Sequence, residues 1–281
     1  MGSEMCIRDR VLRDQEDADG DEVEAQVYDI YLNYTIPAKA RLPQITLSFE
    51  GAYLEGFTDR VIHENAQEGI DLEGIGAVAR VDLGYKDLGL NLRLEAGYAS
   101  GDANFYDDKN FSFTFDPDYN VGLVLFDEVI AGISAVAPET IADPSRIYLP
   151  QKGIDILPTD GSLTNVIYQM VGFSYSPAPL KGLGVKGAVI YAQADQYFSD
   201  PYQTYKAGGV AHNFLGAKCD SRELGWELDF GLSYTFHLPN QLSLKLGGEY
   251  GRFFPAGAFK DQEGERMDPV EKIRALFSLN W

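Results

Sequence analysis

From Glu223 to His237 the chain alternates without a break. Leu224, Trp226, Leu228, Phe230, Leu232, Tyr234 and Phe236 hold the even positions, while Glu223, Gly225, Glu227, Asp229, Gly231, Ser233, Thr235 and His237 hold the odd ones. A period of two makes one face of a β-strand apolar and the other polar or glycine. The segment is longer than the roughly five or six residues usual in soluble sheets, and it reaches the about nine to eleven that a tilted membrane-spanning strand needs. Aromatics lie near both ends of the apolar face, as interface girdles do. The pattern predicts a strand with lipid on one side and water on the other.

The same alternation recurs along the chain. It predicts strands over 24–36, from 44 to Tyr53, from Ile75 to Tyr85, from Leu88 to Tyr98, over 165–176, from Leu183 to Tyr191, from 241 to Tyr250, and from 272 to Trp281. Short connections follow the first, third, fifth and seventh strands. Long polar segments follow the second, fourth, sixth and eighth, near 55–73, 100–162, 195–222 and 252–268. Such sorting is what short periplasmic turns and long extracellular loops produce, and it puts the C-terminus on the periplasmic side. The fold class expected is all-β, an antiparallel up-and-down transmembrane β-barrel. About nine strands are legible, whereas single-chain bacterial barrels close with an even number, so 24–281 reads as the C-terminal part of a larger barrel.

The first ten residues, MGSEMCIRDR, resemble an in-frame translation of a sequencing adapter. Residues 1–23 are therefore set aside as a non-native start and a loop remnant without regular structure. On this reading the natural N-terminus and its signal peptide are missing.

Inside the long segment 100–162, Val121 to Val136 is apolar and fits a helix, with Phe126, Val129, Ile130 and Ile133 on one face. That face must be buried, either in the mouth of the lumen as a plug or against neighbouring loops.

Composition sharpens the picture. The net charge is -20, from 43 Asp+Glu against 23 Lys+Arg, which argues against nucleic acid. No run of ~18 apolar residues offers a transmembrane helix, but alternation dilutes hydropathy in barrels. Acidic loops could meet lipopolysaccharide through divalent cations, or simply keep the surface solvated. Cys6 and Cys219 are not expected to pair, and no cofactor is implied.

The chain ends Ile273-Arg-Ala-Leu-Phe-Ser-Leu-Asn-Trp281, which looks like the C-terminal signal strand of outer-membrane proteins. That likeness implies the barrel assembly machinery as a partner, through Trp281. Gly97-Tyr-Ala-Ser-Gly-Asp102, Phe115-Asp-Pro117 and Gly251-Arg-Phe-Phe-Pro-Ala-Gly257 resemble segments of the alginate-export family of porins. The resemblance implies an outer-membrane porin of about eighteen strands carrying an anionic polysaccharide.

The inward face carries Arg80, Arg93, Lys186, Lys245, Lys272 and Arg274 beside Glu50, Asp82, Glu95, Glu227, Asp229 and Glu249. In a wet lumen such charges select solutes by sign, and the family resemblance gives the cations to a path for a polyanion. The competing reading is a ladder of cross-strand pairs that stiffens the wall, strongest for Arg80, Asp82, Arg93 and Glu95. Tyr31 and Tyr168 could stack on sugars, although such residues more often pack as girdle or loop aromatics. Asp102, Asp107, Asp108, Asp116 and Asp118 lack the spacing of a calcium loop and read as a solvated acidic face. His63, His212 and His237 have no nucleophile and acid at recognisable spacing, so neither a catalytic nor a metal site is expected. The function expected is a channel or exporter for hydrophilic, anionic solutes. The alternative is an adhesin or receptor acting through its long outer loops.

Overall fold

In a computed structural model the described residues are 3–6, 11–16, 22–39, 42–59, 66–104, 107–116, 118–133, 162–237 and 242–280. The strands are β1 Ser3–Cys6, β2 Val11–Glu16, β3 Glu22–Ile36, β4 Gln44–Thr58, β5 Ile70–Tyr85, β6 Leu90–Ala99, β7 Lys109–Asn110, β8 Val166–Tyr175, β9 Leu183–Ala194, β10 Glu223–His237, β11 Ser243–Pro255 and β12 Val270–Asn280. They form one sheet in the order β1-β3-β4-β5-β6-β8-β9-β10-β11-β12, with β2 also on β3 and β7 on β5. Every pairing is antiparallel except β5 with β7. The architecture is an all-β, up-and-down sheet, a partial barrel in which β12 pairs only with β11 among the described strands. Each strand anticipated from the alternation is present, as β3, β4, β5, β6, β8, β9, β10, β11 and β12. Among the described residues no helix is long and apolar enough to cross a membrane.

The two faces differ as the pattern requires. Trp226, Leu228, Phe230 and Leu232 on β10 are 52%, 45%, 50% and 50% exposed, whereas Glu227 between them is 1% exposed. Large apolar side chains point away from the interior on β3, β4, β8 and β11 as well. A water-soluble protein does not expose an apolar surface this continuous. The outward columns therefore suit hydrocarbon.

Several expectations change. Val11–Glu16 is not irregular: it pairs with β3 from Val11↔Val27 to Glu16↔Glu22, and Ser3–Cys6 pairs with β3 further along. The free edge of β3 offers a row of backbone donors and acceptors that a preceding segment can satisfy even without clear alternation. The ladder also runs further than apolarity does. β4 continues to Thr58, β5 starts at Ile70 and β11 reaches Pro255, which shortens the connections to 59–69 and 256–269. Backbone pairing persists past the apolar band because it needs no particular side chain.

Leu224 does not join the outward face. The β9–β10 register shifts between Glu223 and Gly225, and Leu224 turns inward to full burial. An extra residue in one strand reverses the sidedness of what precedes it. Gly225 permits this with φ +139, and a Cβ there would lie 2.2 Å from the Phe254 carbonyl oxygen.

The inward face divides into two zones. Towards the long connections it is apolar, with Val166, Tyr168, Ile190, Ala192, Leu224 and Phe253 buried against the inserted chain. Towards the short turns it is polar, as in the Asn33 Nδ2 to Ser48 Oγ hydrogen bond of 2.9 Å. The interior is thus not uniformly wet, because the insertion after β6 fills its upper half.

Candidate functional site: the concave face and its strap

The insertion turns inward at once after β6. Residues 118–133 then run along the concave face as a strap, with a π-helical stretch at Leu125–Ile130 continuing into α-helix over 131–133. The anticipated helix therefore exists in part, and 134–136 lie outside the described residues. Val121, Leu123, Val124, Leu125, Phe126, Val129 and Ile130 are buried. Phe126 meets Tyr168 edge-on at 6.5 Å. Each such side chain contributes about 1.5–3 kcal/mol when fully buried.

Three polar contacts fix the strap. Tyr119 donates to Glu95 Oε1 at 2.9 Å, and Tyr168 donates to the same oxygen at 2.8 Å. The other Glu95 oxygen accepts Arg80 Nε at 2.6 Å. At the middle of the strap, the N–H groups of Leu123, Val124 and Leu125 all donate to the Glu227 carboxylate. At its far side Lys272 Nζ reaches Glu128 Oε1 at 2.5 Å and Asp127 Oδ2 at 3.7 Å. The strap thus touches β6, β8, β10 and β12 in turn.

The inward charges are distributed accordingly. Arg80 and Glu95 are directly opposite and paired, as are Asp82 and Arg93, whose Nε–Oδ1 distance is 2.7 Å. Glu227 is buried under the strap, and Lys272 meets its exposed edge. Glu249 is shared by Lys186 and Arg274. Asp229 sits beside this group, and its Oδ1 is buried with no hydrogen-bond partner among the described residues. Lys245 makes no ion pair with a described residue.

Below the strap a cleft of ≈ 610 Å³ is lined by Arg93, Lys186, Arg274, Asp82, Asp229 and Asn120, among others. A second of ≈ 190 Å³ continues it past Ser174, Ser233, Lys245 and Glu249. Gly184 and Gly231 line its wall, and a Cβ on Gly231 would meet the Lys186 stem at 2.8 Å. Small residues here make a trough beside the cations.

Of the two readings of Tyr168 the packed one holds, and one expectation, for Asp102, fails. Tyr168 has no exposure and spends its hydroxyl on Glu95 and Tyr119, so its ring cannot stack on a passing sugar. Asp102 is no solvated acid: it is 5% exposed, and burial with the neighbouring Asp107 pushes its carboxyl up to about 6. Tyr119, Asn120, Asp127 and Glu128 were not anticipated as part of the site. Their only signal was membership in, or adjacency to, an apolar run inside a loop. His212 lies in the long connection between β9 and β10 and His237 at the short-turn end, while His63 and Trp281 lie outside the described residues.

Two of the long connections are tied together. Residues 195–222 contain a short helix, α1 Pro201–Lys206, and are tied to 256–269 by Asn213, whose Nδ2 donates to the Ala258 and Lys260 carbonyls at 3.0 and 2.7 Å. Cys219 is half-buried there, and burial followed by Asp220 pushes its thiol up to about 11.

No protein-family model matches the sequence. No curated protein matches it either. Among solved structures the chain is similar to OccK11 (OpdR), OccK5 (OpdH) and OpdL of Pseudomonas aeruginosa, which are outer-membrane porins. Identities are 11%, 11% and 13%, with TM-scores of 0.47, 0.45 and 0.42. The match covers 95%, 95% and 93% of this chain but 55%, 57% and 56% of those proteins, so it spans little more than half their length. The likeness is loose, and the chain's own residues carry the functional reading.

Proposed function

We propose that the chain forms the wall of an outer-membrane channel for hydrophilic, anionic solutes. The strap narrows the extracellular half, and the trough conducts through the periplasmic half. The carrying observation is the imbalance of charge in the trough. Lys186 and Arg274 share the carboxylate of Glu249 with Asp229 beside them, and Lys245 has no described partner, so the three cations outnumber the two acids by one. Arg93 is neutralised by Asp82 and stiffens the wall. A surplus of cations lining a wet passage favours anions.

The alginate-export resemblance extends this reading to an anionic polysaccharide as cargo. The sorted connections support an orientation with the short turns and the β12 terminus in the periplasm. Outer-membrane lipid and lipopolysaccharide would meet the apolar columns, and the assembly machinery would read the last strand. A second reading, an adhesin or receptor, draws support from the rigid outer surface that Asn213 ties together.

Planar-bilayer recording of the full-length protein separates the two. The channel reading expects steady conductance with a reversal potential showing anion preference. Replacing Lys186 and Lys245 by Glu should turn that preference towards cations. A folded protein that does not conduct favours the receptor, and cation preference in the unaltered protein would remove the anionic assignment.

A further inference from the structure

We propose that Glu227 is a positioning residue, the catch that keeps the 118–133 strap docked in the interior and so sets how far the channel is open. The proposal rests on the channel reading for its consequence but not for its geometry.

Glu227 points inward from the middle of β10 and is 1% exposed. One carboxylate oxygen accepts the N–H of Leu123 and Val124, the latter at 2.8 Å, and the other accepts Leu125 N–H at 2.8 Å. These donors stand where the strap begins to coil, and the first turn of a helix leaves such groups without partners of its own. A carboxylate there also meets the positive end of the backbone dipoles. Gly122 completes the fit. Its φ is +80, and a Cβ would lie 2.6 Å from Glu227 Oε1.

The other contacts of the strap are of a different kind. Glu128, which meets Lys272, is 49% exposed, so that pair is screened by water. Apolar burial favours docking, but ordering the strap costs conformational entropy of comparable size. When two large terms nearly cancel, a buried contact of three charge-assisted hydrogen bonds decides the balance. The catch is also reversible. With the strap away, the concave face is open to the lumen and the carboxylate regains water, so neither arrangement strands a charge.

The test uses the full-length chain with Cys6 and Cys219 replaced by Ser and a reporter introduced as Val124→Cys. Val124 has no exposure in the docked strap. Modification by a membrane-impermeant maleimide should be slow with Glu227 intact and at least tenfold faster with Glu227→Ala. Glu227→Gln should fall between, because the amide retains an oxygen for two donors but turns an NH2 towards the third. Glu128→Gln should change the rate less than twofold. Single-channel conductance should rise with Glu227→Ala. If Glu227→Ala does not refold, Glu227→Gln and Gly122→Ala take its place with the same expected direction. Unchanged labelling in the folded Glu227 variants overturns the catch. Faster labelling without conductance in any variant leaves the catch in place and removes the channel reading instead.

Discussion

Asp102 lies at the start of the insertion, where burial and then Asp107 raise its carboxyl from 3.8 to about 6. Backbone donors at Asn104, Phe111 and Ala103 oppose this without cancelling it. A folded-state value above the unfolded one means that the folded chain holds the proton more tightly. The stabilising contribution is therefore full below about pH 4 and is lost as pH rises through 6. The loss is on the order of 2–3 kcal/mol. Urea midpoints at pH 4 and pH 7 should show the decline, and Asp102→Asn should flatten it and raise the pH 7 midpoint. At the scale of residues the sequence was least informative. Asp102 stood among similar acids, and nothing local marked it as the buried one. Leu224 stood in perfect alternation, and only the bulge at Gly225 sent it inward.

At the scale of elements, alternation was nearly sufficient. It found β10 with its bounds intact, because each residue meets one of two very different surroundings and the period of two follows. The prediction is correspondingly sharp. Phe230→Arg places a charge on the outward face and should cost about 2–4 kcal/mol near the bilayer midplane. Asn91→Arg places the same side chain on the inward face of β6 and should leave the fold intact while altering conductance. Refolding yield into liposomes, read as heat-modifiable gel migration, compares the two; equal losses would contradict the two-sided wall. The strap shows where element-level reading stops. Its helical period was visible, but the period names a buried face and not what covers it. The burying surface came from β8, β9, β10 and β11, all of which follow in the chain.

Across the whole molecule, the proposed orientation puts the long connections outside and the short turns in the periplasm. Strand β12 runs back from the outer connection 256–269, and Asn280 sits opposite Ser243 at the short-turn end. Gln262→Cys, in an exposed outer connection, should react with a large impermeant maleimide on intact cells when Cys6 and Cys219 are replaced. Leu180→Cys, 58% exposed in the short turn after β8, should react only once the outer membrane is opened. The reverse pattern would invert the orientation.

Strand identity, antiparallel order and the two-faced wall were properties of the sequence, because each depends on near neighbours and on which side of a pleat a residue falls. The mixed interior was not. Which inward carboxylate would grip a distant backbone, and which tyrosine would be spent on Glu95, depended on residues brought together across 73 positions or more. Periodicity carries no information over such separations. Only the curvature of the sheet, and the insertion packed within it, settled those partners.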